Sequence, residues 1–262
     1  MTENLHLQRL RRARPVLALA AVAFATGALV GSGHGASPSA KLADQFVSAW
    51  TRGDYRTMYN EIDAAAQRRI SPSRFAERYG EAIRTATATH LSVLGRAHHG
   101  DGAFTVPVRI RTRLFGVLSL GFALTVEDLG EGPRVQWTHS LVFPGLRSGE
   151  SLARRTTLPD RATLLARDGT VVAEGKAESS GESTRSSPLG ESARAVLGQV
   201  GAPPASRRAE LEAEGVPADA TVGLSGLERA LDTRLRGRPG GELLAGRRLL
   251  AYAPSHAASA VH

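Results

Sequence analysis

The hydrophobic period of this chain changes near residue 90, and no other feature constrains its fold as much. Upstream, Leu42, Phe46, Val47 and Trp50 recur at i, i+4, i+5 and i+8, one face of a helix over residues 40–51. Gly53-Asp54 breaks that pattern, and a second helix is expected over 55–69 with Tyr59 and Ile62 facing inward. Ser71-Pro72 marks a third start, a hydroxyl N-cap followed by proline in the first turn. Phe75, Tyr79 and Ile83 then recur every fourth residue. Downstream, residues 90–97, 104–114, 117–129 and 134–143 are rich in β-branched and apolar side chains. Gly100-Asp101-Gly102, Phe115-Gly116 and Gly130-Glu131-Gly132-Pro133 separate them as turns. Alternation puts Val135, Trp137, His139 and Leu141 on one face of the last strand. Helices on one side of a mostly antiparallel sheet define an α+β layer.

The first 36 residues read as an address. Arg9, Arg11, Arg12 and Arg14 precede an uncharged run over 15–33 whose apolar heart is 16–30. The length lies between a signal-peptide core and a spanning helix. The arginines place the N-terminus in the cytoplasm, so the remainder is expected outside, held by a single-pass signal anchor. A cleavage site is poor, because His34 stands three residues before a cut after Ala36; cleavage and secretion is the alternative. No cysteine follows, which excludes a lipoprotein anchor, a disulfide framework and a thiolate metal site.

The net charge is +8, and Lys41 and Lys176 are the only lysines. The arginines are scattered and no aromatic residues interleave with them, a pattern that argues against nucleic acid. Attraction to anionic lipid and wall polymer fits better, with the cytoplasmic membrane as the first partner. Asp54, Tyr55, Asp63, His90 and His139 are the acid–base candidates of the α+β layer, but no spacing links them. His98-His99 beside Asp101 suggests a metal site. Adjacent strand side chains point to opposite faces, so the pair is not expected to share an ion, and no cofactor is implied.

The back of the chain begins with a linker at Phe143-Pro144-Gly145-Leu146. Over residues 161–173, Asp168-Gly169 sits between two short apolar runs and reads as a hairpin turn. Residues 178–188 are Ser-, Glu- and Gly-rich, as a mobile loop is. A charged helix is expected over 203–214, closed by Gly215 and Pro217. Ser225 with Glu228 three residues on has the form of a capping box, and Leu227, Leu231 and Leu235 form a buried stripe that stops at Gly237. Two strands follow at 242–244 and 247–252. Residues 254–262 carry no core pattern and are expected to fray.

These motifs carry a resemblance. Ser225-Gly226-Leu227-Glu228 resembles the segment found in the non-catalytic pedestal, or dimerisation, domain of class B penicillin-binding proteins. Residues 161–173 are similar to the Arg-Gly-x-Ile-x-Asp-Arg-Asn-Gly motif at the start of that domain. Arg161 and Gly169 match and Asp168 stands at the Asn position, while Ala162 replaces a Gly and Ala166 an Asp. Trp50, Gly53-Asp54-Tyr55, Met58-Tyr59, Ile70-Ser71, Phe75, Tyr79 and Phe143-Pro144-Gly145-Leu146 look like the NTF2-like N-terminal domain of the low-affinity, methicillin-resistance type. The resemblance implies three parts. They are an anchor over 1–36, an NTF2-like cone over 37–143 whose curved sheet wraps its helices, and a mixed α+β pedestal over 144–262. It also implies a place in peptidoglycan synthesis and the β-lactam response, with peptidoglycan or cell-wall synthesis proteins as further partners.

The residues for transpeptidation are missing. Pro38 lies three before Lys41 and Ala173 three before Lys176, so Ser-x-x-Lys cannot form; Ser-x-Asn and Lys-Thr-Gly are absent too. Arg147-Ser148-Gly149 resembles the third element only faintly. Gly223-Leu224-Ser225-Gly226-Leu227 lacks the second glycine of a nucleophile elbow. No catalytic residue is therefore assigned. The chain is expected to be a penicillin-binding protein cut short before its transpeptidase domain; the alternative is a stand-alone anchored scaffold or binding module.

Overall fold

Ser37 starts the first helix, α1 (Pro38–Arg52): its hydroxyl accepts the Ala40 N–H at 3.2 Å, and Gly53 closes the helix at φ 70°. The computed structural model describes residues 36–128, 130, 132–175 and 185–262. The expected anchor helix lies outside the described residues. Among those residues no helix is long and apolar enough to cross a membrane.

The helix expected over 55–69 is two helices, α2 (Tyr55–Glu61) and α3 (Ala64–Arg69). Each has its own carboxylate cap. Asp54 accepts the Thr57 N–H at 3.1 Å, and Asp63 accepts the Ala66 N–H at 2.8 Å. The second cap forces Ile62 into an extended conformation between the two helices, where it is buried and bridges Val135. Next, α4 (Pro72–Thr85) starts at Ser71, whose hydroxyl accepts the Arg74 N–H.

Four strands follow: β1 (Ala88–Val93), β2 (His98–Gly100), β3 (Ala103–Thr112) and β4 (Val117–Leu124). β3 is the spine, antiparallel to β4 along its length and to β1 and β2 at its two ends. Its side chains alternate: Val106, Val108 and Ile110 are fully buried, Arg109 and Arg111 exposed. The inner face meets Phe46, Val47 and Trp50 of α1 and Phe75 and Tyr79 of α4 in one core. Trp50 packs edge-on against Phe122 at 5.0 Å. This is an α+β layer with an interior filled by side chains.

The expected strand over 134–143 is mostly not a strand. A ladder of β5 (Val126–Asp128) with β6 (Pro133–Val135) ends at Val135, and a 3-10 turn follows at His139–Val142. Asp63 causes the change. Its second oxygen accepts the Trp137 N–H at 3.0 Å, and its own N–H donates to the Val135 carbonyl, so the chain leaves the sheet for the helices. The four residues expected on one face do not share one: Val135 and Leu141 are buried, Trp137 is half-buried and His139 is exposed.

The remaining elements, in chain order, are β7 (Leu152–Thr157), β8 (Leu164–Leu165), β9 (Val171–Ala173), α5 (Glu191–Leu197), β10 (Val200–Gly201), α6 (Ala205–Ala213), β11 (Val222–Gly223), α7 (Gly226–Ala230), α8 (Asp232–Leu235), β12 (Gly240–Ala245) and β13 (Arg248–Ala253). β12 is the centre of a three-stranded antiparallel sheet with β7 and β13. Its Leu243 is fully buried in the same core as Phe46 and Phe75, and Leu152 and Leu250 pack against that core. The segment expected to be a linker is likewise seated, for Phe143 is fully buried and Leu146 packs on the core.

Of two segments expected to be loose, one lies mostly outside the described residues and the other is held in place. Of the loop over 178–188, residues up to 184 lie outside the described residues, and Ser186 exchanges two backbone hydrogen bonds with Glu174. The tail expected to fray is pinned twice. His256 exchanges backbone bonds with Arg238, and Val261 bonds both Thr163 and Leu165 while its side chain fills a cluster with Leu164 and Leu235. An apolar side chain seven residues past Pro254 is enough to close that small cluster, and no periodic pattern announces it.

Candidate functional site

Three regions carry the chemistry: the proposed acid–base residues, a buried ion cluster, and an open groove beside Trp137.

The acid–base candidates do not converge. Asp54 accepts both the N–H and the hydroxyl of Thr57, and those bonds hold its carboxyl below the usual range. Asp63 is engaged by Ala66 and Trp137. Tyr55 stacks on Tyr79 at 5.5 Å, and burial raises its phenol. His90 and His139 are exposed at separate places in the fold. His98 and His99 are also exposed, paired with Thr105 and Phe104, and His99 lies edge-on to the Phe104 ring. Among the described residues no group of His, Asp and Glu could hold a metal ion.

The motif residues of the back region divide in two. Asp168 and Gly169 form the exposed turn between β8 and β9: Asp168 accepts the Thr170 N–H at 3.0 Å, and Gly169 takes φ 87°. Arg161 and Glu228 meet in the interior, 67 residues apart in sequence. Arg161 donates from Nε to Glu228 Oε2 at 2.7 Å, from Nη1 to Asp232 Oδ1 at 2.9 Å, and from Nη2 to the Glu228 carbonyl at 2.9 Å. These side chains are only 2–3% exposed. Arg185 donates to the other Glu228 oxygen at 2.8 Å and to the Ala162 carbonyl at 2.8 Å. Asp232 also accepts the Gly223 N–H at 2.8 Å and reaches Arg207 and Arg236; Arg236 in turn pairs with Glu214.

The expected capping box is absent from this arrangement. Gly226 sits at φ 55°, where an added Cβ would meet the Val196 carbonyl at 2.5 Å. That turn aims Ser225 away from α7, and its hydroxyl accepts the Gln199 N–H at 2.9 Å. Glu228 turns one oxygen to each of two guanidinium groups instead of to its own helix. The leucine stripe breaks as well: α7 and α8 are single turns, and only Leu235 is fully buried while Leu227 and Leu231 pack at the edge. Gly223 closes the block, because an added Cβ there would lie 2.0 Å from the Glu228 carbonyl.

Sequence reasoning marked Arg161 and Glu228 by resemblance but missed Asp232, Arg207 and Arg236. One signal was readable: Asp232 and Arg236 stand four apart within a leucine stripe, where a carboxylate has to be paired if the face is buried. Arg185 follows a polar loop and carries no signal.

The groove beside Trp137 was also missed. A cavity of about 460 Å³ is lined by Arg69, Ile70, Arg74, Arg78, Trp137, Thr138 and His139. It shares Arg69, Trp137 and Thr138 with a neighbouring cleft of about 850 Å³ that runs along α3 to Arg134.

Residues 38–150 match the family model for the NTF2-like N-terminal transpeptidase domain, and residues 177–246 match that for the penicillin-binding protein dimerisation domain. The chain therefore carries, in this order, two domains that match the N-terminal part of a class B penicillin-binding protein. The comparison with curated proteins returns no match.

Proposed function

We propose that this chain is the non-catalytic anchor and pedestal portion of a penicillin-binding protein, serving peptidoglycan synthesis and the response to β-lactams. In this reading the segment over 1–36 holds it in the cytoplasmic membrane and the rest stands outside, beside peptidoglycan or cell-wall synthesis proteins. One observation carries the reading. The two pedestal motifs are joined through Arg161 and Glu228 in a buried cluster whose polar atoms are engaged with one another. Such a cluster, with its carboxylates engaged by guanidinium groups, fixes a shape. The most nucleophile-like serine, Ser225, accepts a backbone N–H and has no lysine beside it. Incubating the purified chain with a fluorescent penicillin is expected to leave it unlabelled; a covalently labelled band would overturn the proposal. A second reading, a stand-alone module that binds a wall component, is favoured by the basic groove at Trp137.

A further inference from the structure

The groove has a rigid floor and a cationic rim. Trp137 is fixed at two points: its backbone N–H is held by Asp63 at 3.0 Å, and its indole N–H donates to the Tyr79 hydroxyl at 3.1 Å. Phe75 supports the ring from below at 5.4 Å. The indole therefore cannot turn to bury itself, and it stays half-exposed. Around it stand Arg69 from the end of α3, Arg74 and Arg78 from α4, and His139 from the 3-10 turn, all exposed. No carboxylate lines this cavity. Arg69, Arg74 and Arg78 make no ion pair among the described residues.

The geometry selects a class of ligand. Arg74 and Arg78 lie one helical turn apart, about 6 Å along the axis, and Arg69 extends the row. A row of cations in an open trough suits an extended polyanion better than one small anion. Guanidinium groups favour carboxylate and phosphate because both accept two parallel N–H bonds. The single exposed aromatic face takes one ring. A nucleic-acid strand is served instead by several aromatic platforms for successive bases, and Trp137 is the one such ring lining this cavity.

We propose that this groove binds an anionic glycan, with one sugar ring on the indole face of Trp137 and its carboxylate or phosphodiester groups on Arg69, Arg74 and Arg78. The proposal deepens the second reading, of a wall-binding module, and is independent of the pedestal role, so penicillin labelling does not bear on it.

The protein carries its own reporter. It has two tryptophans, and Trp50 is fully buried, so a ligand in the groove changes the emission of Trp137. The full chain in a neutral detergent would be titrated with polygalacturonate, with a glucose-phosphate polymer, with neutral dextran and with poly-dT. A saturable change is expected with at least one anionic glycan and none with dextran, and the two anionic arms tell carboxylate from phosphodiester. Affinity should fall about tenfold between 50 and 200 mM salt, as counterion release at a few sites predicts. Arg74→Gln with Arg78→Gln should weaken binding at least tenfold. Arg109→Gln with Arg111→Gln, the same loss of charge on the outer face of β3, should change it less than twofold. Melting temperature and circular dichroism check that both variants fold. No saturable change with either anionic glycan, equal losses in the two double variants, or tighter binding of poly-dT would each overturn the proposal.

Discussion

The front and back regions of this molecule solve the same problem with different materials. Up to Phe143 the core is built from large rings and aliphatic chains: Phe46, Trp50, Met58, Phe75, Tyr79, Ile110 and Phe122 are at most 1% exposed. Beyond Phe143 the sequence has one aromatic residue, Tyr252, and it is 64% exposed. The back region instead holds two small apolar clusters, one around Leu164, Leu197, Leu235 and Val261 and one around Leu211, Val216 and Val222. A lattice of arginines and carboxylates supplies what those clusters lack. Apolar burial is non-directional and tolerant of adjustment, whereas a buried ion lattice is directional and fails when one member is removed. The front region is stabilised by area, the back by geometry.

The sharpest way to break this contrast is Arg161→Met. Removing one partner of a buried pair leaves Glu228 and Asp232 with uncompensated charge, and about 3–5 kcal/mol of stability should be lost. Hydrogen exchange should show the loss in the back region, with protection in α1, β3 and α4 retained. Equal loss of protection in both regions would mean that the ion cluster supports the whole chain. Next is Leu243→Ala. This residue belongs to β12 yet fills the front core, so its truncation should cost about 3 kcal/mol and loosen both regions together. Loosening confined to the back sheet would show that the shared core is not a mechanical link. Smaller again is Val261→Ala, expected to cost about 1.5 kcal/mol from two lost methyl groups and to raise exchange at Leu165, whose N–H bonds Val261.

How much of this was legible in the sequence follows from the same contrast. In the front region, periodicity and caps pointed to α1, α4 and the β3 spine, because large apolar residues at regular spacing leave few alternatives. It misplaced the boundary at Ile62, because Asp63 is a cap that interrupts an otherwise helical pattern. It also extended the last strand through Trp137, because the bond from Asp63 that diverts the chain crosses 74 residues. In the back region, patterning had little to work with. Ser225 and Glu228 have the spacing of a capping box, but charged partners at Arg161 and Arg185 compete for the carboxylate and win. The resemblance found Arg161 and Glu228 without saying that they touch. The groove at Trp137 was hidden for a related reason: Arg69, Arg74 and Arg78 lie among scattered arginines in the sequence, and the bond from Asp63 that sets Trp137 beside them crosses 74 residues.

The smallest expected effect tests whether the front core is as uniformly apolar as the contrast makes it. Glu61, the last residue of α2, has one carboxyl oxygen buried with no hydrogen-bond partner. Burial, with Asp54 nearby adding to it and Arg134 and Arg52 opposing it, raises its pKa from an ordinary 4.5 to about 7. A raised carboxyl means that the folded state holds more protons than the unfolded state between these values. Its contribution to stability is therefore full below pH 4.5, falls as pH rises, and levels off above about 7. Because the residue is partly exposed, solvent screening reduces the effect to on the order of 1 kcal/mol. Glu61→Gln should remove that slope, leaving a variant more stable than the parent at pH 8 and little changed at pH 4, read by chemical denaturation at the two values. An identical pH dependence in parent and variant would show that water reaches the buried oxygen. The front core would then be closed by solvent-exposed polar groups at α2 rather than by apolar contact, and the contrast between the two regions would narrow at that edge.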